Sequence, residues 1–282
     1  MSDLPQPGTT AELLCLHRGR ASLRAQIPAH GRIIVVRTRI GNDSPIEGEL
    51  FAVQVTSSWT YKRTAYVSGD VTSTWLDLAR LELAPLRLFP LGPRDPGQGS
   101  WGEDLPREIT TELLRMGSRE VYEMEQVLPE TNTKRRYDDD PIVEAAELAA
   151  AGDVGEAEAL LADLLAVDLR CLDAHAHLGN LEFESDWPDA LDRAIRHYRI
   201  GVAIGDAALG EGFAGLLPWG LVDNRPFLRC LHGLGLSCWR AGDPKTALGI
   251  FRRLLLLNPT DNQGVRILWP EVAAGLPWRD DD

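Results

Sequence analysis

Leu231-His232-Gly233-Leu234-Gly235-Leu236-Ser237-Cys238-Trp239-Arg240 is followed by Ala241-Gly242-Asp243-Pro244, and then by a run that sets Ala247, Phe251 and Leu254 on one face before Asn258-Pro259. This stretch decides the fold, because it reads as two helices joined by a tight turn. Leu234-Gly235 places a residue without a side chain where the helices cross, so their backbones can approach closely. Gly242 supplies a left-handed conformation at a helix end, Asp243 caps the next helix and Pro244 suits its first position. Ala247 is the expected small partner of Gly235, Phe251 the filler of the wedge between hairpins, and Pro259 the stop.

The same pattern occurs twice more upstream. One copy has Ala145 and Leu148, a Gly152-Asp153 turn, then Ala157, Leu161 and Leu164, with Asp153 and Glu156 spaced as a capping box. The middle copy has Leu178-Gly179, then Ala194, Tyr198 and Gly201, with a turn lengthened by Ser185-Asp186-Trp187-Pro188. After Ile204 an irregular insertion, Gly205 to Pro226, carries Phe213, Leu216, Leu217 and Trp219 and is too apolar for a free loop. Asp261 to Gly275 reads as a final helix that covers the apolar face of the last hairpin, and Leu276-Pro277-Trp278 ends the structure.

The small, large, small and proline positions of the last copy resemble the tetratricopeptide repeat family. Leu169 in the first copy departs from it, standing where proline is usual. The resemblance implies a helical-repeat solenoid over residues 138–278 with a concave groove lined by the first helix of each pair. Carried over position by position, the groove is Ile142, Ala146 and Ala149; Ala176, Asn180 and Phe183; and Arg229, His232, Leu236 and Trp239. Such a groove takes a peptide or helix of another protein. Arg229 and Trp239 are its expected anchors, since both types are enriched at interface hot spots. Capture of chaperone tails is disfavoured, because Gly233 stands where the family's carboxylate-binding members hold arginine.

Ile33-Ile34-Val35-Val36, Leu50 to Val55 and Tyr61 to Val67 are β-branched and aromatic runs, separated by turn-forming Pro28 to Gly31, Gly41 to Pro45 and Ser68-Gly69-Asp70. They predict a small antiparallel sandwich or barrel over residues 11–91, with Trp75 to Leu91 open between strand and helix. The expected class is therefore α+β with two domains. Between them lie a Gly/Pro-rich linker, 92–103, and a helical connector, 104–137, with two short helices broken near Gly117-Ser118.

The chain of 282 residues carries a net charge of −13, unevenly distributed. Residues 1–100 hold 11 Lys/Arg against 9 Asp/Glu, leaving 18 against 33 for the remainder. An acidic helical half disfavours nucleic acid and anionic membranes as partners and favours a neutral or basic protein. No apolar run reaches the roughly 18 residues of a membrane span, and no leader-like segment opens the chain, so a cytoplasmic location is expected. The four cysteines lack metal spacing and read as small buried apolar residues.

His175-Ala176-His177 does not suggest a metal site, because two histidines two apart on a helix point about 200° from each other. Asp138-Asp139-Asp140 reads as a helix entry capped by Asp140 before Pro141. No catalytic or phosphate-binding signature occurs. The sequence therefore predicts a non-enzymatic adaptor or scaffold without cofactor or metal. Two alternatives stay open. One is an acidic inhibitor, of immunity or antitoxin type, that occludes a basic partner. The other is nucleic-acid binding by the β module, where Arg18, Arg20, Arg24, Arg32, Arg37 and Arg39 accompany Trp59, Tyr61, Lys62, Arg63 and Tyr66.

Overall fold

Alternation of buried and exposed residues along five strands closes the first part of the chain into a barrel. The structure is a computed structural model, and it describes residues 4–19, 21–95, 104–129 and 140–280. In chain order come β1 (Thr10–Arg18), β2 (Leu23–Ile27), β3 (Arg32–Arg37), β4 (Leu50–Tyr61), β5 (Thr64–Trp75), helix α1 (Leu78–Leu81), β6 (Leu88–Arg94), α2 (Arg107–Met116) and β7 (Arg119–Met124). Helices α3 (Pro141–Ala150), α4 (Val154–Val167), α5 (Leu172–Phe183), α6 (Ala190–Leu209), α7 (Arg225–Arg240), α8 (Pro244–Leu257) and α9 (Val265–Ala273) follow. The chain divides into two compact units: residues up to Leu83 with Pro129–Leu169, and Ala84–Leu128 with Arg170 onward.

In the first unit the barrel order is β1-β2-β3-β5-β4, closed by pairing of β1 with β4. Three consecutive strands followed by one that returns beside the first is Greek-key connectivity. The expected barrel is present, but it is not wholly antiparallel. β5 enters beside β3 and runs parallel to it, because β4 first crosses to the far side of β1. Leu13, Cys15, Leu23, Ala25, Ile34, Val36, Phe51, Val53, Val55 and Val67 point inward and are buried. Each large one contributes about 1.5–3 kcal/mol by leaving water. Helix α4 packs on β1, so the α3–α4 hairpin groups with the barrel and the expected repeat region, 138–278, is divided at Leu169.

Two turn assignments differ from the sequence expectation. Tyr61 to Val67 is not one strand but straddles a hairpin turn, with Lys62 at φ 54°. Ser68-Gly69-Asp70 lies inside β5, where a side chain on Gly69 would stand 2.1 Å from the Gln54 carbonyl oxygen. Glycine is there for close backbone approach at a bulge, not for a turn.

In the second unit β6 and β7 form a two-stranded antiparallel sheet. The expected linker therefore begins with strand residues Gly92-Pro93-Arg94. A strand with only one neighbour tolerates proline, whose missing N–H can face away from the ladder. Residues 96–103 and 130–139 lie outside the described residues, as does the acidic run before Asp140. The expected second connector helix is strand β7, extended by a bridge from Val121 to Leu216. The Gly205 to Pro226 insertion is shorter than expected, because α6 runs on to Leu209 and α7 begins at Arg225.

Helices α5 to α9 pack in succession, and α5 also packs on α7. The aromatic rings Tyr198 and Phe251 lie over the glycines of the preceding helix: a side chain on Gly179 would meet the Tyr198 ring at 2.5 Å, and one on Gly235 the Phe251 ring at 2.3 Å. Gly235 thus makes room for Phe251 rather than for Ala247. Asp243 caps α8 by accepting from the Thr246 amide, and Asp140 caps α3 by accepting from that of Ile142. Asp153 makes no side-chain cap bond, so the expected capping box is not formed. Among the described residues no helix is long and apolar enough to cross a membrane.

Gly235→Ala should lower unfolding free energy by about 1–3 kcal/mol through overpacking against Phe251. Gly249, on α8, has open space where a methyl group would project, with nothing within 4 Å, so Gly249→Ala should raise it by about 0.5–1 kcal/mol. Urea denaturation of the two variants beside the wild type checks both signs.

Candidate functional site

Helices α5 and α7 lie side by side and parallel, which follows from two contacts at opposite ends. At their N-terminal ends Arg229 of α7 pairs with Asp173 of α5 at 2.6 Å. At their C-terminal ends the Arg240 guanidinium donates to the Phe183 carbonyl at 2.6 Å and lies 5.0 Å over the Phe183 ring. Between them Asn180 is exposed and accepts from the Tyr198 hydroxyl at 2.6 Å, and Leu236 is half-buried.

The C-terminal end of this face is occupied by the chain itself. After α9 the backbone turns at Gly275, φ 68°, and Leu276-Pro277-Trp278 crosses back over α7. The Trp239 indole N–H donates to the Leu276 carbonyl at 2.7 Å. The Trp278 ring stands edge-on to Trp239 at 5.0 Å and to Phe183 at 5.8 Å. Arg240 approaches Asp280 at 3.3 Å. A side-chain donor to a backbone carbonyl, an aromatic cleft and a cation for an acid are the elements by which an extended peptide is held.

The opposite end is closed by the insertion. Trp219 lies under the Arg225 and Arg229 guanidinium groups at 5.3 and 5.7 Å, and Gln126 donates to the second oxygen of Asp173. The insertion is itself fixed by β7. Leu216 exchanges backbone bonds with Glu120 and Tyr122, and the Arg119 guanidinium donates to the carbonyls of Ala214, Gly215 and Leu256 at 2.5–2.6 Å. Burial pulls the Arg119 pKa down to about 10, which leaves it charged at neutral pH. Asn224, fully buried, ties the Met124 amide to the carbonyls of Tyr122 and Pro218.

The sequence-predicted residues divide accordingly. Asn180, Phe183, Arg229, Leu236 and Trp239 come together on the α5–α7 face. Ala176 is fully buried and Ile142 nearly so, which makes them core residues and not groove residues. Ala146 is exposed and Ala149 half-buried on α3, in the unit that holds the barrel, and they form no part of this face. Trp239 is only 5% exposed, so it is packed beneath the C-terminal segment and not open to solvent. Arg240, Trp219 and Trp278 were not among the residues expected to line the groove. Their apolar and cationic types are the only sequence signal they give.

His232 turns inward against the Phe251 ring, with centroids 6.2 Å apart. Its Nε2 is buried without a hydrogen-bond partner. Burial lowers its pKa to about 4, opposed in part by Asp261. All four cysteines are buried and none is in a disulfide, and burial raises the thiol pKa of Cys230. Among the described residues no three His, Cys, Asp or Glu side chains are grouped to hold a metal ion.

Two outcomes follow from these geometries. Arg229→Ala removes the cation beside the largely buried Asp173 carboxylate and should cost about 2 kcal/mol or more in urea denaturation. His232 has a folded pKa below its ordinary value of 6.5, so its contribution is full above that value and is lost as pH falls toward 4. About 2 kcal/mol should disappear by pH 5, and His232→Gln should flatten that slope. His17 in the barrel, whose pKa is raised by its hydrogen bond to Glu47, acts with the opposite sign, so the difference between variant and wild type is the quantity to measure. No protein-family model matches the chain, and no curated protein sequence is significantly similar to it.

Proposed function

We propose that this chain is a non-enzymatic cytoplasmic adaptor of tetratricopeptide type, and that the α5–α7 face holds an extended segment of a partner protein. The observation that carries the reading is the seating of Leu276-Pro277-Trp278 on that face. The contact between the Trp239 indole and the Leu276 carbonyl depends on backbone position rather than on side-chain identity. It suits any extended chain lying along the groove. Selectivity then comes from the cleft between Phe183 and Trp239, which takes an aromatic ring, and from Arg240, which takes an acid two residues further on.

The repeat character is supported by the recurring device of an aromatic ring over a glycine, Tyr198 on Gly179 and Phe251 on Gly235. The resident segment lowers the apparent affinity of any competitor, because the open face is only a fraction of the population. A partner of this adaptor displaces the segment or extends past it toward Arg229 and Asp173.

A fluorescein-labelled peptide with the sequence of residues 276–282 provides the test. Trp278→Ala in the full chain weakens the internal occupant, so the labelled peptide should bind that variant at least about tenfold tighter than the wild type by fluorescence anisotropy. Adding Trp239→Phe, which removes the indole donor, should reverse most of the gain. Equal, or equally absent, binding to wild type and Trp278→Ala, with thermal unfolding unchanged, would remove the proposed face.

A further inference from the structure

The barrel carries a second surface, on different residues. Strand register aligns Arg24, Val35, Tyr66 and Trp59 in one row across β2, β3, β5 and β4. On β2, β3 and β5 the neighbours along the strand, Leu23, Val36 and Val67 among them, are buried, so this row faces outward. A solvent face of a sheet is ordinarily polar. Here Tyr66 and Trp59 stack with centroids 5.3 Å apart and planes within 8°. Arg37, one row along, lies 5.5 Å over the first ring and 5.8 Å over the second. Ile33 and Tyr61 extend the apolar surface, 46% and 62% exposed, and the Lys62 ammonium lies over the Tyr61 ring at the β4–β5 turn.

Beside Arg37 a shallow polar hollow of about 310 Å³ is lined by Thr38, Arg39, Thr56, Ser68 and Asp70. Arg24, Arg37, Arg39 and Lys62 supply cations to this face. The acids near it are Asp70 and, 3.9 Å from Arg24, Asp163 of α4. Arg20 of the sequence cluster lies outside the described residues. Cross-strand pairing brings Trp59 and Tyr66, from different strands, together with Arg37. The chain's overall charge of −13 does not decide the matter, since exposed charges are screened beyond roughly 8 Å at physiological salt.

We propose that this outer face of β2, β3, β5 and β4 binds single-stranded nucleic acid. The rings offer stacking surface to unpaired bases, and the arginines and Lys62 meet the phosphates that follow them. A duplex hides its base faces and cannot use the rings. A neutral ligand has no use for cations gathered around an aromatic pair. The site shares no residue with the peptide face, so either proposal can fail while the other stands.

Fluorescence anisotropy of the full chain with labelled 12-nucleotide oligo(dT), oligo(rU) and a duplex of equal length tests it. At about 50 mM salt both single strands should bind, with affinity falling as salt rises. The duplex should bind at least about tenfold more weakly, Trp59→Ala and Arg37→Ala should each weaken single-strand binding about tenfold, and Trp59→Phe should retain most of it. Arg37 is exposed, so its variant reads the site even if Trp59→Ala perturbs the barrel. Absence of single-strand binding at low salt, a duplex bound equally well, or an Arg37→Ala chain that binds like the wild type would overturn the assignment. Capture of an acidic protein by this face, with no affinity for either oligonucleotide, would overturn it as well.

Discussion

An aromatic ring resting on a glycine is the contact on which the helical region depends. Tyr198 over Gly179 and Phe251 over Gly235 leave no room for even a methyl group on either glycine. Each ring therefore fixes the distance between the two helices of a hairpin, and Tyr198 does more. It also lies against Gly233 of α7, where an added carbon would meet it at 2.2 Å, so a single side chain sets α5, α6 and α7 relative to one another. Its hydroxyl, donating to Asn180, keeps the polar end of the ring satisfied, and burial raises its pKa so that it stays protonated. The α5–α7 face exists because this ring has glycine on both sides.

The positions of these glycines and rings were legible in the sequence, because glycine, alanine and aromatic residues at helical spacing have few other uses, but that Phe251 and not Ala247 covers Gly235 was not. The barrel too was legible, because its β-branched runs alternate. Strand β7 was not legible. Arg119 to Met124 has only weak alternation, and its partner β6 carries Pro90, Gly92 and Pro93, which argue against a strand unless that strand has only one neighbour. Arg119 reads as one more surface cation until the fold brings it against the carbonyls of residues some 95 and 137 positions away. Occupation of the groove by Leu276-Pro277-Trp278 was equally hidden, since neither helix spacing nor composition says where a chain goes after its last helix.

The tail changes what the groove residues mean. Arg229 and Trp239 look like free anchors in the sequence, yet each is already partnered, one by Asp173 and the other by the Leu276 carbonyl. A residue partnered within the fold contributes to stability first, and to binding only through exchange. This is why alanine at Arg229 tests the fold as much as the interface. Asn180 and Leu236 lie between the two closed ends and are the least committed of the predicted set.

Competition on this face can be given a scale. A segment tethered to α9 by a few residues has an effective concentration in the millimolar range, so even a weak intrinsic affinity keeps it seated. A partner present at about micromolar concentration must bind roughly a thousandfold more tightly than the tail to take its place, a difference of about 4 kcal/mol. Repeating the tail's own contacts cannot supply that difference. The surplus has to come from surface the tail leaves uncovered, which runs along α5 and α7 from Phe183 past Asn180 and Leu236 toward Asp173 and Arg229. A segment that only mimics Leu276-Pro277-Trp278 would lose to the resident copy, so a partner of the kind proposed would have to span the length of both helices.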